Sequence, residues 1–151
     1  MTFHKTLYQQ LILGLVLLLC TTGTWAGPLH DAVEMGDLAR VKRLVETQGA
    51  DVNEIDNRGI WPLLAAATDG NTAMVKLLLQ LKANPNRHDQ YQYTALHEAA
   101  SLGFRDVTEI LIDAKADINA RDINDITPLG YAERSPSLET AELLREYGAT
   151  Q

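Results

Sequence analysis

Apolar positions along the chain fall into two unlike patterns. Between Leu11 and Leu19 no polar residue interrupts them, whereas beyond Gly27 they come in short clusters separated by turns rich in Gly, Asp and Asn. In this second region Met74, Val75, Leu77, Leu78 and Leu79, and again Val107, Ile110, Leu111 and Ile112, recur at the spacing that lines one side of a helix. Ahead of each lies a shorter segment with an Ala-Ala pair, Ala66-Ala67 and Ala99-Ala100, which keeps a first helix slim enough to pack closely. Thr127-Pro128 reads as a helix start, because Thr caps free backbone N–H groups and Pro at the first helical position sacrifices no needed donor. The pattern therefore predicts helices in pairs. One pair cannot bury its apolar side alone, so each pair needs neighbours.

The first region predicts something that does not belong to this fold. A polar start with His4 and Lys5 leads into Leu11–Leu19, and small and polar residues follow, ending Thr24-Trp25-Ala26. This order is that of a secretory signal peptide over residues 1–26, with cleavage after Ala26. A membrane anchor would need about 20 apolar residues, roughly twice the run present. Lipidation at Cys20 would want a small residue before it, and Leu19 stands there.

The clusters beyond Gly27 repeat. The segment from Asp56 to Ala67 is echoed from Asp89 to Ala100 and again from Asp122 to Glu133, each copy 33 residues after the last. Pro28-Leu29-His30 begins an earlier copy one residue further back, and the extra residue is expected at Glu46-Thr47-Gln48, at a helix end. Gly49-Ala50-Asp51-Val52-Asn53 is matched by Lys82-Ala83-Asn84-Pro85-Asn86 and by Lys115-Ala116-Asp117-Ile118-Asn119. A period of this length with these elements in this order resembles the ankyrin repeat, over essentially all of residues 27–149.

The resemblance implies an all-α ankyrin-repeat solenoid of about four helix–turn–helix repeats, at roughly 27–55, 56–88, 89–121 and 122–151. It implies that His30 and His97 hydrogen-bond backbone between loops rather than bind metal. It also implies a protein partner, held on a concave surface of loop tips and first helices. Carried onto this chain, that surface comprises Glu34 and Met35 in the first unit, and Asn57, Arg58, Ile60, Thr68 and Asp69 in the second. Gln90, Tyr91, Tyr93, Ser101 and Leu102 follow in the third, with Ile123, Asn124, Ile126, Arg134 and Ser135 in the fourth. If each tip is extended, Tyr91 and Tyr93 project to the same side. Ile60, Tyr93 and Ile126 would then form an apolar row edged by Arg58, Asp69 and Asn124, unless these side chains fold back and seal the array. Trp61, where Thr is usual, is expected to be a packing variation.

Departures from the pattern carry expectations of their own. Arg40 and Arg43 in the first unit, and Thr140 and Arg145 in the fourth, stand where other units are apolar, as the polar outer faces of terminal repeats would require. Both ends are thus expected to be capped and the array complete. Lys82 and Lys115 replace the Gly expected just past the second helix, where a left-handed residue other than Gly costs about 1 kcal/mol. Pro136, also at a Gly position, predicts an altered turn.

Composition narrows the function. The formal charge is −7, and removal of residues 1–26, whose single charged residue is Lys5, would make it −8. Without a Lys/Arg run the chain lacks the footprint of a nucleic-acid binder. Cys20, the sole cysteine, would leave with the leader, so residues 27–151 contain neither a disulfide nor a redox thiol. No nucleophile elbow, phosphate-cradling loop or His-Glu-x-x-His set is present. The chain is expected to be no enzyme, to carry no cofactor or metal, to be monomeric and to have no stable membrane insertion after cleavage. It is similar to small exported ankyrin proteins of the Gram-negative periplasm. That compartment suggests an inhibitory or self-protective (immunity) partner of a periplasmic or cell-wall enzyme. Alternatives are a stress-response accessory to a periplasmic enzyme such as catalase, and a secreted effector acting on a host protein.

Overall fold

The computed structural model describes residues 27–135 and 138–151; the expected leader and the Pro136 turn lie outside the described residues. Four helix pairs follow one another: α1 (Pro28–Glu34) with α2 (Leu38–Gln48), α3 (Pro62–Thr68) with α4 (Thr72–Gln80), α5 (Ala95–Leu102) with α6 (Arg105–Asp113), and α7 (Pro128–Ala132) with α8 (Leu138–Glu146). The architecture is all-α among the described residues. First helices stack in the order α1-α3-α5-α7 and second helices in the order α2-α4-α6-α8, each against its neighbour.

Repetition in sequence becomes ladders in space. Leu29, Leu63, Leu96 and Leu129 hold one position of the first helix, and all are at most 3% exposed. Leu44, Leu78, Leu111 and Leu144 hold one position of the second helix, all buried and none more than 8% exposed, and Ala32, Ala66, Ala99 and Ala132 form the slim seam between helices. Full burial of a Leu is worth about 1.5–3 kcal/mol. Each of these side chains reaches that burial only because the adjoining unit covers it. The helix ends follow local chemistry: Asp37 accepts from the Arg40 N–H at 2.9 Å, Asn71 from the Met74 N–H at 3.1 Å, and Thr127 from the Gly130 N–H at 3.3 Å.

A second set of bonds ties unit to unit beyond the helices. Asn53 Oδ1 accepts from the Asn84 N–H at 2.8 Å, Asn86 Oδ1 from the Asp117 N–H at 2.7 Å, and Asn119 Oδ1 from the Thr150 N–H at 2.8 Å. The Asn of each "Ala-Asp-x-Asn"-like segment thus satisfies a backbone donor of the next unit.

The extra residue of the first unit lies where α2 runs to 11 residues, against 9 for α4. Lys82 and Lys115 do adopt left-handed backbone, with φ of 72° and 68°, beside Gly49 at 70°. One expectation fails: Thr140 is fully buried and belongs to the core, although Arg145 is exposed and pairs with Glu133. Thr140 occupies the rung held by Met74 and Val107 and is buried as they are, with its hydroxyl unpaired. Thr108 is also fully buried, and its hydroxyl has no hydrogen-bond partner.

Two kinds of stabilising substitution follow. Lys82→Gly and Lys115→Gly should each raise stability by about 1 kcal/mol in thermal or urea unfolding, by relieving left-handed strain. Thr108→Val, which repeats the choice made at Val75, should gain about 1–2 kcal/mol by removing a buried unpaired hydroxyl. A loss of stability in all three would contradict the turn and core assignments.

Candidate functional site: a groove beneath the loop tips

Each loop tip is one turn built by an aspartate. The Asp56 backbone N–H donates to Ile60 O at 2.8 Å, while Asp56 Oδ1 accepts from the N–H groups of Arg58 and Ile60, both at 2.9 Å. Asp89 repeats this with Tyr91 and Tyr93 at 2.8 and 2.9 Å, and Asp122 with Asn124 and Ile126 at 2.9 and 2.8 Å. The fourth residue of each turn, Gly59, Gln92 or Asp125, has φ of 81°, 60° or 62°. The short Asx side chain makes such a turn without help from other elements.

That left-handed residue overturns the picture of an extended tip. Gln92 turns the chain between the two tyrosines, so they do not project together. Tyr91 is 55% exposed, and its carbonyl accepts from the Ile123 N–H of the next tip at 2.8 Å. Tyr93 is half-buried, stacked on His97 with ring centroids 5.2 Å apart and edge-on to Tyr131 at 5.4 Å. Ile60 and Ile126 are half-buried as well. Ile126 leans over α7, where a Cβ on Gly130 would meet its Cγ2 at 3.0 Å. The row Ile60–Tyr93–Ile126 therefore folds back toward the first helices instead of standing out from the tips.

His30 and His97 fix the tips to the stack. His30 Nε2 lies 3.0 Å from Ile60 O and His97 Nε2 lies 3.2 Å from Ile126 O, so each imidazole holds the tip of the following unit. Trp61 is buried with the Arg87 guanidinium 5.9 Å over its ring, in keeping with a packing role.

Between the tips and the first helices of units one to three lies a groove of about 630 Å³. Ile60, Leu64, Ala65 and Tyr93 supply its apolar part, and Glu34, Arg58, Thr68, Asp69 and Glu98 its polar edge. Of the residues expected from sequence, it gathers Glu34, Arg58, Ile60, Thr68, Asp69 and Tyr93. Met35, Asn57, Tyr91, Leu102, Asn124 and Ile126 lie apart from it; Met35, Tyr91 and Leu102 are exposed, and Ile126 lines a smaller depression beside Glu133 and Arg134. Leu64, Ala65 and Glu98 were missed. The signal was available, because residues 65 and 98 are 33 apart and face the same side of successive first helices.

Charges in the groove are tied down unequally. Arg58 reaches both Asp56 Oδ2, at 2.7 Å, and Glu34. Glu98 accepts from the Tyr93 hydroxyl at 3.0 Å, and its other oxygen lies 3.3 Å from the Thr68 hydroxyl, which also donates to Leu64 O at 3.0 Å. At the fourth unit the Tyr131 hydroxyl donates to Asp122 Oδ2 at 2.7 Å. Burial and then this bond push the Tyr131 phenol up to about 12, and burial with the Glu98 charge raises that of Tyr93. Both phenols thus remain donors at neutral pH. Among the described residues no group of three or more His, Cys, Asp or Glu could hold a metal ion.

A family model for ankyrin repeats in three copies matches residues 29–122. The chain belongs to the ankyrin-repeat family. It is 40% identical over 91 residues to an ankyrin repeat-containing protein of Schizosaccharomyces pombe, a match covering 60% of this chain and 41% of that one. To protein phosphatase 1 regulatory subunit 27 of Homo sapiens it is 34% identical over 90 residues, 60% of this chain and 58% of the relative. An ankyrin repeat protein of fowlpox virus is 30% identical over 122 residues, 80% of this chain and 28% of the relative. The chain spans less than two thirds of the length of each of these relatives. The ankyrin array is a protein-binding module, of a family that is typically non-catalytic.

The titrating groups that fasten the tips give the fold a signed dependence on pH. Burial lowers the pKa of His97 from the ordinary 6.5, only partly offset by the Ile126 carbonyl and the Asp122 charge. The unfolded chain then binds the proton more readily, so the stability His97 contributes is complete above about pH 6.5 and is lost as pH falls below it. Burial opposes ionisation of Asp56 and Asp122. It is outweighed at Asp56 by the Ile60 N–H and the Arg58 contacts, and at Asp122 by Tyr131 and the Ile126 N–H. Both carboxyls are held below 3.8, and their contribution is lost as pH falls through that range. Melting temperature should be flat at neutral pH, decline below about pH 6.5, and decline again below about pH 4. His97→Gln should abolish the first decline and keep the second. An unchanged upper decline in that variant would contradict the assignment.

Proposed function

We propose that this ankyrin array is an exported binding protein of the bacterial periplasm that holds an envelope enzyme and restrains it, protecting the cell that makes it. The observation that carries the binding face is the groove itself. Its centre, Ile60, Leu64, Ala65 and Tyr93, is apolar, and it is edged by charged groups, the make-up of an interface core and rim. The contact continues along the tips to Asn57, Tyr91, Asn124 and Ile126 and along the helix ends to Met35 and Leu102. The leader-like pattern of residues 1–26 supports export, and the want of catalytic motifs supports restraint by binding. Among the described residues no helix is long and apolar enough to cross a membrane.

Expression in a Gram-negative host tests both parts. The exported protein should be recovered from the periplasm with Gly27 as its first residue, should co-purify with an envelope hydrolase, and should lower that enzyme's activity. Ile60→Arg, which sets a charge in the middle of the groove, should weaken capture by at least about 2 kcal/mol, roughly thirtyfold. Retention of residues 1–26 in the membrane fraction, or full capture by Ile60→Arg, would overturn the proposal. The two tyrosines should separate: Tyr91→Ala should weaken binding at an unchanged melting temperature, whereas Tyr93→Ala should also lower that temperature because its ring is packed between units.

A further inference from the structure

We infer that the groove accepts a basic side chain, arginine or lysine, carried on an extended segment of the protein partner. This rests on the groove being the binding face proposed above, and it follows from the charge balance of the groove's wall. Three carboxylates, Glu34, Asp69 and Glu98, line it against one guanidinium, Arg58. That guanidinium is already shared between Glu34 and a further carboxylate, Asp56. Glu98 is half-buried over the apolar centre and receives a hydrogen bond from the neutral Tyr93 hydroxyl, with the Thr68 hydroxyl, shared with the Leu64 carbonyl, beside its other oxygen. Among the described residues no cation pairs with Glu98 or Asp69.

An arginine or lysine matches both halves of this surface. Its methylene stem can lie on Leu64 and Ala65 while the charged head meets Glu98 and Asp69. The hydroxyl bonds orient the Glu98 carboxylate in advance, and a charge-assisted bond to a fixed carboxylate is stronger and more geometrically selective than a neutral one. An acidic segment would place like charges together over an apolar floor. The charge of −8 over residues 27–151 acts at longer range in the same sense, drawing a basic partner toward the array and repelling an acidic one.

The test uses three capped hexapeptides, identical apart from a central arginine, lysine or glutamate flanked by leucine, titrated calorimetrically into the chain beginning at Gly27. The arginine and lysine peptides should bind and the glutamate peptide should not. The double variant Glu98→Gln with Asp69→Asn should weaken arginine-peptide binding at least about tenfold, and raising salt from 50 to 500 mM should weaken binding more in the parent than in that variant. Gln keeps an acceptor for the Tyr93 and Thr68 hydroxyls, and an unchanged helical circular dichroism signal verifies folding. Equal binding of the arginine and glutamate peptides, or an unaltered double variant, would overturn the inference. If neither basic peptide binds while Ile60→Arg still abolishes capture of the partner, the basic side chain is refuted and the binding face survives. If Ile60→Arg leaves capture intact, the face itself is wrong.

Discussion

A helix pair of this size cannot hide its own apolar face, and everything else in the molecule is arranged around the need for a neighbour. The leucines of the first and second helices form rungs that are dry only because the next unit covers them. Stability in such a stack is the sum of weak units and strong interfaces between them. Local strain is then tolerable: left-handed Lys82 and Lys115 and the unpaired Thr108 hydroxyl persist because the interfaces on either side outweigh them. The same requirement orients the proposed binding surface. Stacking at a constant offset brings the same residue of successive first helices to one side, where a continuous groove arises from units none of which owns a pocket.

The tips add the second constraint. Each is closed by its own aspartate and then fastened to a neighbour, through His30 to Ile60, through His97 to Ile126, and through the Tyr91 carbonyl to Ile123. A surface built this way loses little conformational freedom on binding, which is where much of the cost of association lies. It also makes Tyr93 serve two ends, packing the third unit against the fourth through Tyr131 and orienting Glu98 in the groove.

Much of this was legible in the sequence because a repeat reports its own alignment. Two offsets of 33 and one of 34 located the helix pairs and the insertion near Glu46-Thr47-Gln48, and the resemblance they carry pointed to the left-handed lysines and the bridging histidines, all without three-dimensional information. What was not legible depended on direction. Whether Tyr91 and Tyr93 share a side turns on the sign of φ at Gln92, and Gln, unlike Gly59 at the same place, does not announce a left-handed residue. Thr140 looked like a polar cap because its type was weighed over its rung, whereas the rung decides burial. The 33-residue spacing places Glu98 on the same side of its helix as Ala65, but its contacts with Tyr93 and Thr68, from its own tip and from the preceding unit, are not legible in the sequence.

The aspartate-closed tips should hold the proposed binding face rigid before any partner arrives. Hydrogen exchange of individual amides measures this most directly. The N–H groups of Ile60, Tyr93 and Ile126 are donors to Asp56, Asp89 and Asp122, at 2.8–2.9 Å. In the unliganded protein they should exchange at least about a thousandfold more slowly than free peptide, alongside the amides of α5 and α6. Exchange within about tenfold of the free-peptide rate at these three positions, with the helices protected, would show that the tips are open and that the face forms only on binding.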